Sequence, residues 1–301
     1  MPREIRPRVG RAFAPAHVTG IFAPSLEARD PRGRGSVGAG IVLEAGVEAV
    51  AWWWPSRRAS VRLEADVRRK LPISEDVARR LLAHRRGRLI LRLKHDLPIG
   101  QGFGMSAAGA LATALAVAAA TGQTRRVAVE TAHLADLYGG GGLGGVSAIL
   151  GGGVETRERP GIPPWGRARH TAATGRVLVA WSRPSIPSPR LLRDPAFLRR
   201  VTAAAGPGLR RLMHRPDLRS LMREAERFTD TLALGPASLL RQVHALRSPD
   251  VAVVQAMFGR SLVLVPWSLS GRAHAIRGLE HQGLHAVELP IARRGARIVP
   301  H

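Results

Sequence analysis

Leu97–Gly122, LPIGQGFGMSAAGALATALAVAAATG, places Pro98 and three alternating glycines directly ahead of a long alanine-rich run, with Ser106 at the junction. Alanine and leucine are strong helix formers, so the run reads as a helix that begins at Ser106. A helix N-terminus presents unpaired N–H groups and a partial positive charge, and so attracts anions. Glycines ahead of it let the backbone approach a phosphate with no Cβ in the way. Gly100, Gly102 and Gly104 therefore suit a phosphate-holding loop. The stretch is not a Walker A loop, because no Gly-Lys-Ser/Thr comes after it. Nor is it G-x-G-x-x-G, because Ala107 stands where the last glycine would be. The competing reading is a flexible turn into a buried helix, with Ser106 as its N-cap.

Composition bounds the rest. The chain has 301 residues, enough for one large or two modest domains, and 45% are hydrophobic, enough for a proper core. The formal net charge is +24, and Lys70 and Lys94 are the only lysines, so arginine carries nearly all of it. The arginines are spread along the whole chain and do not interleave with aromatics as base-stacking platforms would. No specific nucleic-acid partner is expected, and a basic nucleic-acid-binding protein is the least favoured alternative. Cysteine is absent, which excludes disulfides, thiol catalysis and thiolate metal sites. The start, MPREIRPRVGRAF, has no apolar core of a secretory signal. The most apolar stretch, Ala107–Thr121, is too short for a membrane span. A cytoplasmic protein with no membrane partner is expected.

Along the chain, strands are expected at Ala12–Phe22 and Ile41–Trp54, with a Pro/Gly loop between them. A helix is expected over Leu71–His84 and an alternating strand over RLILRLKHDLP. A second helix covers Arg125–Tyr138, and the glycine-rich GGGGLGGVSAILGGG comes next. RERPGIPPWG is a Pro-rich break, and domains of residues 1–165 and 166–301 are expected on either side of it. The second half reads as the strand RVLVAWS, helices from Asp194 to Leu246, the strand RSLVLVPW, a helix and the strand HAVELPI. The mixture is α+β. Trp52, Trp53 and Trp54 cannot all face one core from a strand. They are either strand residues or an oligomer face, and a homodimer is a candidate arrangement.

The opening stretch resembles the ATP-binding motif P-x-x-x-G-L-G-S-S-A of the GHMP kinase superfamily. Pro98, Gly102, Gly104, Ser106 and Ala107 fit it, while Phe103 and Met105 depart from it. Further segments resemble archaeal pantoate kinases in the same order. AFAPAHVTGIF resembles their opening strand, and GSVGAG, Gly35–Gly40, their Gly-Ser-x-Gly-Ala-Gly. AHLAD, Ala132–Asp136, resembles Ala-His-x-Ala-Glu. GGLGGVSAILGGGVETRERPGIPPWG resembles their Gly-Leu-Gly-Asp-Val segment with its later Gly-Gly, Arg and Pro-Gly-x-Pro, and VVQAMFGRSLVLV resembles their third motif. The resemblance implies a GHMP kinase fold, with a ribosomal-S5-domain-2-like N-terminal domain and a ferredoxin-like C-terminal domain. It implies ATP and Mg²⁺ as cofactors and a small-molecule partner, pantoate, phosphorylated on its primary hydroxyl to 4-phosphopantoate for coenzyme A synthesis.

The resemblance also implies roles. Pro98, Gly100, Gly102, Gly104, Met105, Ser106, Ala107, Ala108 and Gly259 fall in its ATP site. Ser106 and Asp136 are the catalytic and metal-holding pair, with Asp136 in the family's Glu position, one methylene shorter. Ser36, His133, Arg157 and Arg190 fall in its pantoate site, where guanidinium reads carboxylate with two parallel hydrogen bonds. His17 lies near the same pocket or is simply packed. Gly145 stands where the family has the Asp expected to act as base. Three readings stay open: transfer proceeds without a base, Asp30 or Asp136 fills the space, or activity is lost. Another small-alcohol kinase of the superfamily and a nucleotide-binding homologue without catalysis are the rival functions.

Overall fold

The computed structural model describes residues 6–83, 85–182, 194–257 and 259–300. Two long antiparallel strands organise the first half: β1 (Arg8–Ser25) and β2 (Gly35–Pro55). They pair along their length, with register shifts at Pro15/Ala16 and Thr19/Ile21. The C-terminal half of β2 pairs with β4 (Gly87–His95), and its N-terminal half, Gly38–Ile41, pairs with β5 (Val154–Arg159). The seven-stranded sheet is completed by β3 (Ser60–Ala65) parallel to β4, β6 (Arg167–Thr171) beside β5, and β11 (Arg297–Ile298) beside β1.

The alanine-rich run forms α2 (Met105–Thr121), one residue earlier than expected, buried on nearly every side between the sheet and helices α1 (Pro72–Leu82) and α3 (Arg125–Tyr138). Small side chains are what such a position requires, because interiors are close-packed. Gly10 on β1 makes the approach possible: a Cβ there would lie 2.8 Å from the backbone nitrogen of Ala120. A short helix α4 (Gly145–Ala148) comes after the second glycine-rich segment.

The second half is a four-stranded antiparallel sheet, β7 (Arg176–Trp181), β8 (Val251–Gln255), β9 (Ser261–Pro266) and β10 (His285–Pro290), in the order β10-β7-β9-β8. Helices α5 (Pro195–His214), α6 (Leu218–Leu232) and α7 (Ala237–Leu246) connect β7 to β8, and α8 (Leu269–His281) connects β9 to β10. That is the ferredoxin-like arrangement. α5 and α6 also pack on β1, and Val177, Phe197, Val254 and Val263 join one core with Ile21, Leu43 and Leu111.

Several expectations shift. RERPGIPPWG turns within the first sheet, between β5 and β6, so the change of sheet comes after Thr171, and the last strand returns to the first sheet. Gly35–Gly40, expected in a loop, is strand. β3, β5, β6 and β8 were not legible, because each is a short segment rich in charge or in alanine and valine with no clear period. The three tryptophans alternate: Trp53 is buried, and Trp52 and Trp54 are half-exposed beneath the guanidinium groups of Arg92 and Arg88. Among the described residues no helix is long and apolar enough to cross a membrane.

Candidate active site

A cavity of about 380 Å³ opens where the N-terminus of α2 meets β1, β2 and the glycine-rich segment 139–145. Gly100, Gly102 and Gly104 all have positive φ (87°, 79° and 66°), a region that other residues reach only with strain. Gly104 is the helix N-cap and makes no side-chain cap. The N–H groups of the first turn therefore face the cavity, which Met105, Ser106 and Ala107 line. The N-cap reading of Ser106 is corrected: its hydroxyl is committed elsewhere.

The loop is clamped from both halves of the molecule. His17 N–H donates to the Phe103 carbonyl at 3.1 Å. Gln101, buried, donates to the Ser182 carbonyl at 2.8 Å and accepts from Arg260 N–H at 3.2 Å, and the Ser261 hydroxyl donates to its carbonyl. Phe103 packs edge-on against Trp181 at 5.8 Å. Gly259 lies under this clamp, where a Cβ would run into the Gln101 carbonyl. It supports the loop from beneath and does not line the cavity. Pro98 and Ala108 are likewise outside the lining, one at the base of the loop and the other buried in the helix.

Ser106 donates to Asp136 Oδ1 at 2.9 Å. Asp136 is 2% exposed, so the alternative of a solvated acid is corrected. Burial pushes its carboxyl up to about 7, and the Ser106 hydroxyl offsets this only in part. Glycines make the pair possible: a Cβ on Gly141 would overlap both Asp136 Oδ1 and Ser106 Oγ. A Cβ on Gly145 would lie 3.9 Å from Asp136 Oδ2 and 2.5 Å from the Ala107 methyl. Position 145 is thus closed to a side chain, and Asp136 is the carboxylate beside it. Asp30 is not a substitute. It caps a 3-10 turn, is paired with Arg32 at 2.7 Å and lies outside this cavity. Two hard oxygen donors beside a helix N-terminus suit Mg²⁺ shared with phosphate oxygens. Among the described residues no cluster of three His, Cys, Asp or Glu forms a metal site made of protein alone.

The other end of the cavity is floored by Ser36 on β2 and Arg157 on β5, both buried. His17, buried on β1, joins them, with Nε2 2.7 Å from Glu155 Oε1. Arg157 Nη1 donates to the same oxygen. Burial alone would raise the Glu155 carboxyl, but Arg157 and His17 hold it below its ordinary value. Burial also lowers the His17 imidazole, against the opposing pull of Glu155. His133 is placed differently from expectation: it is buried with Nε2 3.3 Å from the Pro31 carbonyl and does not line the cavity. Arg190 lies outside the described residues. Glu155 was missed by sequence reasoning, although Glu-x-Arg in a strand puts both side chains on one face. Arg69 and Lys70 at the cavity mouth were missed too, and one of only two lysines standing just before α1 was the available signal.

Residues 72–153 match the family model of the GHMP kinases N terminal domain. The chain is 38% identical over 159 residues to a pantoate kinase from Thermococcus kodakarensis and 36% identical over 156 residues to one from Methanospirillum hungatei. The two matches cover 51% and 50% of this chain, and the chain spans about half the length of these curated relatives, 53% of each. A solved phosphotransferase related to the CoA biosynthesis pathway superposes with a TM-score of 0.84 at 28% identity, over 97% of this chain and 98% of its own. Mevalonate diphosphate decarboxylase from Staphylococcus aureus superposes with a TM-score of 0.70 at 14% identity, over 98% of both chains. The chain has the GHMP kinase fold.

The Asp136 carboxyl has a stability consequence. Its folded-state value is raised, so its ionisation opposes folding above pH 7, and that cost shrinks as pH falls through 7 and vanishes below the unfolded value near 4. The size is roughly 4 kcal/mol at about 1.4 kcal/mol per pH unit. Asp136→Asn is expected to raise the melting temperature of ligand-free protein by several degrees at pH 8 and to change it little at pH 4. Thermal denaturation at the two pH values checks this, and an unchanged or lowered value at pH 8 contradicts it.

Proposed function

We propose that this chain is an ATP-dependent kinase that transfers phosphate to the primary hydroxyl of pantoate, giving 4-phosphopantoate for coenzyme A synthesis. The observation that carries the reading is one cavity with two chemically different ends. At one end are the helix N-terminus and the half-buried Ser106 bonded to the buried Asp136; at the other are Ser36 and Arg157. The pantoate kinase relatives and the CoA-related phosphotransferase neighbour support the same substrate.

In this reading the N–H groups at Gly102, Gly104, Ser106 and Ala107 hold the triphosphate, with Arg69 and Lys70 at the mouth adding positive charge, while the Ala108 N–H is taken by the Gly104 carbonyl at 3.0 Å. Ser106 Oγ and the ionised Asp136 carboxylate hold Mg²⁺, which neutralises charge on the phosphates when bound. Arg157 takes the pantoate carboxylate and Ser36 a hydroxyl. The primary hydroxyl oxygen forms a bond to the γ-phosphorus as the bond to the β–γ bridging oxygen breaks. ADP leaves, and the hydroxyl proton passes to solvent or to a phosphate oxygen. No side chain at 145 takes part. Phosphoryl transfer rests mostly on positioning and electrostatic stabilisation, which this cavity supplies.

Purified protein with ATP, Mg²⁺ and pantoate is expected to release ADP and 4-phosphopantoate in a coupled assay. Clear nucleotide binding with no turnover would favour the non-catalytic homologue, and faster turnover of an alcohol without a carboxylate would favour another kinase of the superfamily. Gly145→Asp is expected to lower kcat at least about tenfold and to destabilise the fold by about 1–3 kcal/mol. The new side chain meets Ala107 and sets a second carboxylate against Asp136. A rise in kcat would mean that a base is simply missing.

A further inference from the structure

Beneath the floor of the cavity, behind Arg157 and His17, lies a charged residue with no role in the transfer itself. Glu155 is completely buried, one strand-step from Arg157 on the same face of β5. Their partners across the ladder on β2 are Gly40 and Gly38. A Cβ on Gly38 would overlap Arg157 Nη2, and one on Gly40 would overlap His17 Nε2. The alternating glycines thus clear a trough across β2 in which the guanidinium and the imidazole meet on Glu155 Oε1. Arg157 Nε is buried without a hydrogen-bond partner. A Cβ on Gly144 would lie 2.6 Å from that Nε and 2.7 Å from Ser36 Oγ, so these two groups border the same space.

We propose that Glu155 is a positioning residue that anchors Arg157 by Nη1, keeps its Nε free beside Ser36, and thereby sets the preference for a carboxylate-bearing alcohol. The proposal rests on the reading of this cavity as a pantoate site. Two constraints support it. A guanidinium N–H buried without an acceptor is costly, so in the empty cavity the Glu155 oxygen that Nη1 donates to keeps the guanidinium in place. A guanidinium also reads a carboxylate through a fixed planar fork, so a small shift of the anchor misaligns the donors. His17, held to the same oxygen, limits where the Glu155 carboxylate can move.

Place and charge separate experimentally. Glu155→Asp keeps the charge and withdraws the anchor by one methylene, whereas Glu155→Gln keeps an acceptor oxygen in place and removes the charge. The measured quantity is kcat/KM for pantoate divided by kcat/KM for its carboxamide, with the KM for ATP as a control. Glu155→Asp is expected to lower this ratio at least about tenfold, and Glu155→Gln to stay within about threefold of the parent, with ATP KM unchanged in both. Calorimetric binding of pantoate should run in the same order. A merely structural role lowers both substrates together and leaves the ratio intact, which overturns the proposal. So does a fall in Glu155→Gln as large as in Glu155→Asp. A parent protein that does not phosphorylate pantoate, or does not prefer it to the carboxamide, fails the underlying reading first and takes the proposal with it.

Discussion

The constraint around which the site is built is a carboxylate, Asp136, buried with a single side-chain donor at the head of a helix. Burying ionised oxygen with so little compensation is unfavourable, and the raised carboxyl records it. The neighbourhood accommodates this group instead of relieving it. Gly141 lets the chain pass over the Ser106–Asp136 pair, and Gly145 leaves the space beside Oδ2 without a side chain. The first turn of α2 adds partial positive charge. In the proposed function a cation and the phosphates it accompanies would complete the arrangement, and stability given up in the empty protein would reappear as affinity for the nucleotide.

The two ends of the cavity belong to different parts of the fold, which suits the two roles proposed for them, phosphate at one end and the acceptor alcohol at the other. The phosphate end consists of backbone groups on a loop clamped between the two sheets through Gln101, Ser182 and Ser261. The acceptor end consists of side chains on β1, β2 and β5, which are rigid, paired strands. Relative placement of the ends therefore depends on the common core and on the Phe103–Trp181 contact, where both halves pack on one loop. The motif that this loop resembles has leucine where Phe103 stands. The larger ring here fills the space against Trp181 and is buried to 1% exposure.

Much of this was legible in the sequence because glycine and alanine mark backbone geometry directly. The loop at Gly100–Gly104, the helix after it and the α+β class are all readable from spacing and composition. The ferredoxin-like half and the identity of the site came from resemblance. The illegible parts came from pairings distant in sequence. Glu155 meets His17 across 138 positions, and its Glu-x-Arg spacing, the one local hint, does not say that the shared face is buried. The glycines of GSVGAG look like a loop signal, yet they are strand residues whose absent side chains make room for Arg157 and His17. His133 shares a helical face with Asp136 in the sequence, but its ring turns to the Pro31 carbonyl. Some of the arginines sit in surface ion pairs or stack over Trp52, Trp54 and Trp165, and the net excess of positive charge has no acidic partner within the chain.

The claim that Ser106 and Asp136 form the metal-holding end of the nucleotide site is tested most directly by locating the ion. Crystals grown with Mn²⁺ and a non-hydrolysable ATP analogue are expected to show an anomalous peak within roughly 2.0–2.3 Å of Ser106 Oγ and one Asp136 oxygen, with phosphate oxygens completing the shell. A peak bound by phosphate oxygens alone, with the Ser106–Asp136 hydrogen bond intact, would contradict the account.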